Sequence, residues 1–272
     1  MTTEMKRSAA KPFLKWTGGK RWLVPKINDH LPVPFRTYYE PFLGGGALFF
    51  ALNPNDAILS DINEELINAY IQVRDSVLLV VATLRDFSYD RKTYLKIRSW
   101  VPSTDLERAV RFIYLNRTCW NGLYRENKHG KFNVPFGRYS NPTICDEQNL
   151  VRVSHLLRSK RIVHGDFADV VKTAHKGDFV YFDPPYASRA RSRFVRYNAG
   201  AFSWSDQSRL AEVAFDLQRR GCFVMITNAD DGQIRNLYRG FYVKRITRQG
   251  LLAARGEARA QVQELLIRNF RT

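Results

Sequence analysis

Four consecutive residues carry the sharpest chemistry in this chain: Asp183, Pro184, Pro185 and Tyr186, directly after the apolar run Phe179-Val180-Tyr181-Phe182. Such a run reads as a buried strand, so the acid, the prolines and the ring fall at its carboxyl end. Ligands in open α/β sheets bind just outside the carboxyl ends of strands. A rigid acidic and aromatic loop there suits an exocyclic amino group on a flat base. The Asp183 carboxylate and the Pro184 carbonyl can accept its two hydrogens, and Tyr186 can stack on the ring. The plainer reading of the same residues is a strand stopped by Pro-Pro.

A second cluster, Glu40-Pro41-Phe42-Leu43-Gly44-Gly45-Gly46, follows another short apolar run and opens a helix. Glycines at such a turn let a ligand approach the backbone and face the helix N-terminus. The pattern is not the GxGxxG dinucleotide fingerprint. Asp61 closes the next strand, where an acid hydrogen-bonds ribose hydroxyls. The pair predicts a nucleoside-type cofactor; a tight turn and a helix-capping Asp61 would account for the same residues without one. Trp16-Thr17-Gly18-Gly19-Lys20 fails the phosphate-loop pattern GxxxxGK[ST], because Leu14 stands where the first glycine is needed and Arg21 follows Lys20. The turn can still close over an adenosine and a carboxylate, ahead of a helix expected over Arg21–His30.

A third stretch, Asn121–Tyr139, is dense in Gly, Asn, aromatics and cations. Leu123-Tyr124-Arg125 and Phe132-Asn133-Val134 flank the polar Glu126–Lys131, which predicts a β-hairpin or an extended loop. Its Lys and Arg can bind phosphates, and Arg125 suits the O6/N7 edge of guanine in a major groove.

These loops need elements to hold them. Strands are expected at Thr37–Glu40, Ala57–Ser60, Arg161–His164, Asp178–Phe182, Cys222–Thr227, Tyr242–Thr247 and Gln261–Asn269. Helices are expected at Ala47–Leu52, Asn63–Arg74, Ala168–Ala174, Asp206–Arg219 and Asp231–Tyr238. Asp206 and either Asp230 or Asp231 are expected as N-caps. The alternation predicts an α/β fold with a mostly parallel sheet. Between about Asn63 and Leu157 the sheet pattern is interrupted by amphipathic helices at Val77–Asp86, Arg91–Trp100 and Leu106–Leu115. Residues 1–10 read as a flexible basic arm, 11–62 and 158–272 as the catalytic domain, and 63–157 as an inserted recognition domain.

The chain has 272 residues, 44% hydrophobic and 13% aromatic, enough for one large domain or one domain with a smaller module. Its net charge of +17 points to a polyanionic partner. The excess is uneven: residues 1–36 carry eight Lys or Arg against two acids, and Arg189, Arg191, Arg193 and Arg196 cluster with none. The segment 40–75 instead holds Glu40, Asp56, Asp61, Glu64, Glu65 and Asp75. A neutral-to-acidic pocket beside basic surfaces fits this pattern. The three cysteines form no CxxC pair, and the histidines do not cluster at ligand spacing, so neither a disulfide framework nor a metal is expected. No signal peptide or membrane span is expected.

Together the phrases FLKWTGGKRWLVPKI, YYEPFLGGGALFF, SDIN, LNRTCWNGLYRENKHGKFNVPFGRY, GDF, VYFDPPY, ITN and QVQELLIRNF resemble the Dam-type DNA adenine-N6 methyltransferases, over about Phe13 to Phe270. The resemblance implies a Rossmann-like, seven-stranded, mostly parallel methyltransferase sheet with an inserted helical and β-hairpin recognition domain. It implies S-adenosyl-L-methionine as methyl donor and double-stranded DNA as substrate, with a monomer acting in the bacterial cytoplasm at the nucleoid. Trp16, Gly19, Lys20, Glu40, Phe42, Gly44, Asp61, Asp166, Phe167 and Asp183 then line the cofactor pocket. Asp183, Pro184, Pro185 and Tyr186 form the catalytic loop around a flipped adenine. Lys15, Trp120, Asn121, Leu123, Arg125, Asn133, Pro135 and Tyr139 fall where the family reads GATC, and Arg189, Arg191 and Arg193 follow the catalytic loop toward the DNA backbone. Trp120 and Tyr124 depart from the commoner wording of that stretch, which leaves the outer base pairs of GATC open. Related loops also serve RNA amino-methyltransferases, and a DNA-binding protein of the same fold could be catalytically silent. The long basic interval between Gly46 and Asp183 argues against the first; intact Asp183, Tyr186 and Asp61 argue against the second.

Overall fold

A computed structural model describes residues 9–127, 129–186, 202–249 and 261–271. Within them seven strands make one sheet: β1 (Tyr38–Glu40), β2 (Ala57–Asp61), β3 (Arg161–His164), β4 (Phe179–Phe182), β5 (Phe223–Ala229), β6 (Tyr242–Gln249) and β7 (Gln261–Arg268). Their spatial order is β3-β2-β1-β4-β5-β7-β6. The strands from β3 to β5 are mutually parallel, and β7 runs antiparallel to both β5 and β6. The sheet is therefore mixed and mostly parallel, as expected. The carboxyl ends of β1, β2, β4 and β5 open on the same edge, and reversed β7 brings its first half there.

The helices in chain order are α1 (Val24–Ile27), α2 (Ala47–Leu52), α3 (Glu64–Asp75), α4 (Val77–Arg85), α5 (Arg91–Ser99), α6 (Asp105–Thr118), α7 (Glu147–Leu157), α8 (Phe167–Val170), α9 (Trp204–Arg219) and α10 (Gly232–Leu237). All four residues of β4 are buried, the mark of a parallel strand covered on both faces. Alternate residues feed two cores. Tyr38, Phe179, Tyr181, Met225 and Leu266 face one that extends into the helices between β2 and β3. Tyr39, Val180, Phe182, Val224, Ile226 and Ile267 face the other, closed by α9 and α10.

Three local expectations are corrected, among them the helix expected over Ala168–Ala174, which is α8 followed by a 3₁₀ turn (Val171–Thr173). The helix expected over Arg21–His30 is broken into a 3₁₀ turn (Lys20–Trp22), α1 and a second 3₁₀ turn (Asn28–His30). Pro25 has no N–H and its ring would clash with the carbonyl of Arg21, so a continuous helix cannot cross it. The N-cap of α9 is Ser203 and not Asp206. Asp206 sits at the third helical position of a capping box, accepting from the Ser203 N–H at 2.8 Å while Ser203 Oγ accepts from its N–H at 3.2 Å. Asp231 caps α10 as anticipated. α7 was not anticipated; Asp146 caps it, and its buried Leu150, Val153 and Leu157 recur at helical spacing.

The stretch 121–139 forms an extended, paired loop. Its pairing consists of two isolated antiparallel bridges, Glu126↔Phe132 and Cys119↔Phe136. The turn is held by Asn127, whose Oδ1 accepts from the His129 and Lys131 N–H groups at 2.9 and 3.1 Å. Asn116 on α6 stitches this region to the N-terminal segment. It accepts from the Lys15 N–H at 2.8 Å and donates to the Lys15 carbonyl at 2.7 Å. Gly122, at φ +62°, leaves no room for a side chain, since a Cβ there would lie 2.4 Å from that of Lys15. Among the described residues no single helix is long and apolar enough to cross a membrane.

Candidate active site

The loops at the carboxyl edge surround a cavity of about 920 Å³. Its walls include Trp16, Gly19, Lys20, Glu40, Phe42, Gly44, Asp61, Asp183, Pro184, Pro185 and Tyr186. The sequence places these residues in four separate stretches; the fold brings them to one space. Arg125 and its neighbours on the 121–139 loop line the same cavity.

The first end is built on β1, β2 and the glycine turn. Asp61 leaves the carboxyl end of β2 and accepts from the Gly44 N–H through Oδ2 and from the Asn63 N–H through Oδ1, each at 3.0 Å. These bonds fix the carboxylate while its remaining lone pairs can serve a ligand hydroxyl. Burial pushes its carboxyl above the ordinary range, against the pull of the Gly44 and Asn63 N–H groups. Gly44 adopts φ +46°, and a Cβ on it would lie 2.5 Å from the Trp16 ring. The indole therefore packs directly on the turn, and the Tyr70 hydroxyl from α3 donates to the Gly44 carbonyl at 3.2 Å. Glu40 ends β1 and is 3% exposed. Its Oε2 accepts from the Tyr38 hydroxyl at 2.9 Å and the Phe49 N–H at 3.2 Å. Burial pushes its carboxyl up to about 8.

The second end is the loop after β4. Asp183 Oδ1 accepts from Lys20 Nζ at 2.7 Å and from Thr227 Oγ1 at 2.7 Å. The Tyr181 and Thr227 hydroxyls share a bond of 3.0 Å. Since Thr227 has one proton and gives it to Asp183, Tyr181 is the donor in that bond. Burial raises the Asp183 carboxyl above its ordinary range, with Lys20 pulling the other way. Lys20 is 4% exposed, and its ammonium also donates to the Gly18 carbonyl at 3.0 Å. Tyr186 donates to Glu264 Oε2 at 2.5 Å. From α9, fully buried Gln207 donates to the Pro185 carbonyl at 3.3 Å and accepts from Asn228 Nδ2 at 2.9 Å, bracing the loop from behind.

Two expected pocket residues stand apart. Asp166 caps α8, accepting from the Ala168 N–H at 2.9 Å, and both its oxygens accept from Arg209 at 2.7 and 2.8 Å. That hydrogen-bonded guanidinium holds its carboxyl below the ordinary range. Phe167 is buried under Phe42, ring centroids 5.3 Å apart. Neither is among the residues that line the cavity; Phe167 backs the lining residue Phe42, while Asp166 is bound to Ala168 and Arg209.

The expected DNA-reading residues gather around the 121–139 loop. Trp120 is half-exposed, its N–H bound to the Pro135 carbonyl at 2.9 Å. Asn121 takes the left-handed conformation, φ +54°. Leu123 packs against the core, with its carbonyl accepting from Cys119 Sγ at 3.3 Å. Exposed Arg125 donates through Nε to Asn133 Oδ1 at 2.7 Å, which aims its guanidinium. Tyr139 donates to the Cys119 carbonyl at 2.9 Å, and Lys15 Nζ lies 3.7 Å from the centre of its ring. Burial and nearby Arg117 lower the Lys15 ammonium from its ordinary value. Arg189, Arg191 and Arg193 lie outside the described residues.

Sequence reasoning missed Thr227, Gln207 and Glu264. Gln207 carries no local signal, and Thr227, though within the phrase ITN, is an ordinary strand threonine whose partner no local pattern names. Glu264 does carry one, as an acid abutting the apolar run Leu265-Leu266-Ile267. Among the described residues no group of three or more His, Cys, Asp or Glu is placed to hold a metal ion.

A mostly parallel sheet with a large, acid-bearing pocket at its carboxyl edge defines an α/β enzyme class. Within that class, residues 16–251 match the model of the D12 class N6 adenine-specific DNA methyltransferases, and the chain belongs to that family. It is 39% identical to the Type II methyltransferase M1.LlaDCHI of Lactococcus lactis subsp. cremoris, over 96% of this chain and 95% of that one. It is 40% identical to the Type II methyltransferase M.MjaIII of Methanocaldococcus jannaschii, over 96% and 99%. Identity to the DNA adenine methylase of Serratia marcescens is 37%, over 96% and 98%.

Proposed function

We infer that this adenine-N6 DNA methyltransferase takes its methyl group from S-adenosyl-L-methionine and delivers it to an adenine flipped out of duplex DNA, within GATC. The observation that carries the reading is one cavity that joins the Asp61–Gly44 end to the Asp183–Tyr186 loop, with Arg125 on its rim. Nucleoside and target base can therefore share one space.

The residues fit the cofactor. Asp61 has lone pairs for ribose hydroxyls, and the protein bonds to Glu40 fall on Oε2, leaving Oε1 for a ligand. Trp16, Phe42 and the glycine turn supply apolar and backbone walls, and Gly19 and Lys20 close the far side. When bound, S-adenosyl-L-methionine supplies an electrophilic methyl group on a sulfonium sulfur. The chain's own work is to hold the base. Asp183 and the Pro184 carbonyl accept the hydrogens of the amino group, which keeps the nitrogen lone pair directed into the cavity. Tyr186 stacks on the ring, and Pro185 stiffens the loop. Positioning in a polar pocket supplies the acceleration.

An adenine inside the stack cannot reach this cavity, so flipping is required. Arg125, aimed by Asn133, reads a guanine edge, with Lys15, Trp120, Asn121, Leu123, Pro135 and Tyr139 around it. Arg189, Arg191 and Arg193 bind backbone phosphates. The division into a catalytic unit (11–62 and 158–272) and a recognition unit (63–157) follows these roles. The enzyme acts as a monomer at the nucleoid.

The test is radiolabelled methyl transfer from S-adenosyl-L-methionine into three matched duplexes: one GATC, one permuted site and one GATC already N6-methylated on both strands. Label in the unmethylated GATC duplex alone is expected. Label in both unmethylated duplexes discards GATC and keeps the chemistry; label in none discards duplex DNA as substrate.

A further inference from the structure

Among the described strands, β7 alone runs against two neighbours, and its register sets Glu264 opposite Ala229, the last residue of β5. Reversal thus delivers a side chain to the same edge as Asp183. Glu264 is 1% exposed and is followed by buried Leu265, Leu266 and Ile267. A carboxylate so placed must be paired to be tolerated. Its Oε2 accepts from the Tyr186 hydroxyl at 2.5 Å and lies 3.7 Å from Lys20 Nζ.

One buried ammonium therefore stands between two carboxylates, 2.7 Å from Asp183 and 3.7 Å from Glu264. Asp183 Oδ1 already accepts from Lys20 and Thr227. The amino group of an arriving base adds a further donor to that carboxylate and so weakens its hold on Lys20. A buried ammonium gives up one anion readily only where another is in reach. A shift of about an ångström brings Lys20 to full hydrogen-bond distance of Glu264. The same carboxylate tethers Tyr186, whose ring centre lies 5.0 Å from Lys20 Nζ. Glu264 thus touches both the ring that is to hold the base and the cation that holds Asp183.

We propose that Glu264 is a positioning residue of methyl transfer, which fixes the Tyr186 ring by its hydroxyl and receives Lys20 when the target amino group takes Asp183. The inference rests on the methyl-transfer reading given above.

The full-length protein, Glu264→Gln and Tyr186→Phe are compared in single-turnover transfer at saturating duplex and S-adenosyl-L-methionine. Binding constants for both ligands and the fluorescence of 2-aminopurine at the target position are measured alongside. Glutamine keeps an acceptor for Tyr186 but removes the charge that receives Lys20. Glu264→Gln is expected to slow transfer by about ten- to a hundredfold, with both binding constants near wild type. Tyr186→Phe keeps the ring but frees it, and is expected to slow transfer less and to weaken the quenching of 2-aminopurine. Wild-type transfer rates in Glu264→Gln, or a fall in binding that matches the fall in rate, would overturn the inference. Should Glu264→Gln fail to fold, unchanged transfer and quenching in Tyr186→Phe would overturn it. No transfer by the wild-type protein would overturn the functional reading itself, and this inference with it.

Discussion

Lys20 and Asp183 form a buried ion pair at 2.7 Å, one residue from the N-terminal glycine turn and the other from the loop after β4. The turn and the loop are thereby locked together, and the Asp183 carboxylate is oriented by a cation on one side and Thr227 on the other. Asp183→Ala removes the acceptor of the target amino group and leaves Lys20 without its nearest anion. Transfer should fall by at least about a hundredfold, the scale of losing one oriented polar group in a closed site. Asp183→Asn keeps a carbonyl acceptor and should retain measurably more activity than Asp183→Ala. Duplex affinity, set elsewhere, should change little in either. Single-turnover rates with parallel duplex binding check this, and equal turnover by Asp183→Ala would remove Asp183 from the site.

Glu40 should write its burial into the pH dependence of stability. Its carboxyl titrates near 8 in the folded protein against about 4.5 when exposed. Between those values the folded chain keeps a proton that the unfolded chain has released. Stability is therefore greatest, for this group, below about pH 4.5 and declines as pH rises toward 8. Glu40→Gln stays neutral throughout and retains a carbonyl for the Tyr38 and Phe49 donors. The difference in unfolding free energy between the two proteins should change by about 2–4 kcal/mol from pH 5 to pH 8, at about 1.4 kcal/mol for each pH unit across that window. Urea unfolding at the two pH values measures it, and parallel curves would contradict a buried, protonated Glu40.

Much of this is legible in the sequence, for reasons that differ by element. Each of the seven strands lies within two residues of where apolar runs and turn residues place it; the signal is plainest for central β4, buried on both faces and written in consecutive apolar residues. The Arg21–His30 stretch has the spacing of one helix, but the steric effect of Pro25 outweighs that spacing. Asp206 has the chemistry of a cap, yet the hydroxyl of Ser203 three residues earlier takes that role, and both belong to one capping box. Local phrases such as EPFLGGG and DPPY identify the ends of the cavity. They do not reveal the roles of Thr227, Gln207 and Glu264, which exist only once β5, α9 and β7 are packed beside the catalytic loop. Phe167 shows the converse: expected in the pocket, it is buried behind the lining residue Phe42.

Arg125 and Asn133 face each other across the 121–139 loop, joined at 2.7 Å. A guanidinium held in one plane can form two parallel bonds to a guanine edge; a freely rotating one loses part of that selectivity. Arg125→Ala should relax discrimination at one base pair by about 1–3 kcal/mol. Asn133→Ala leaves the cation in place and should relax the same base pair by less, with affinity for unrelated duplex unchanged. Competition binding with duplexes substituted at each position of the site resolves the two. A uniform loss across all sequences would instead make Arg125 a phosphate contact.

The charge distribution makes a prediction about affinity that does not depend on any one contact. A net charge of +17, on a chain whose 40–75 segment is acidic, is carried by the other stretches, residues 1–36 among them. Each phosphate these cations neutralise releases counterions, so the logarithm of the binding constant falls linearly with the logarithm of salt. With six or more phosphate contacts, affinity for duplex should drop by about 10³ or more between 50 and 200 mM salt. Arg125→Ala should leave that slope nearly unchanged if Arg125 reads a base, whereas removal of a phosphate-binding lysine should flatten it by close to one contact. Fluorescence anisotropy of a labelled duplex across a salt series gives both numbers. A flat response would mean that the cations of the recognition stretch do not face the backbone.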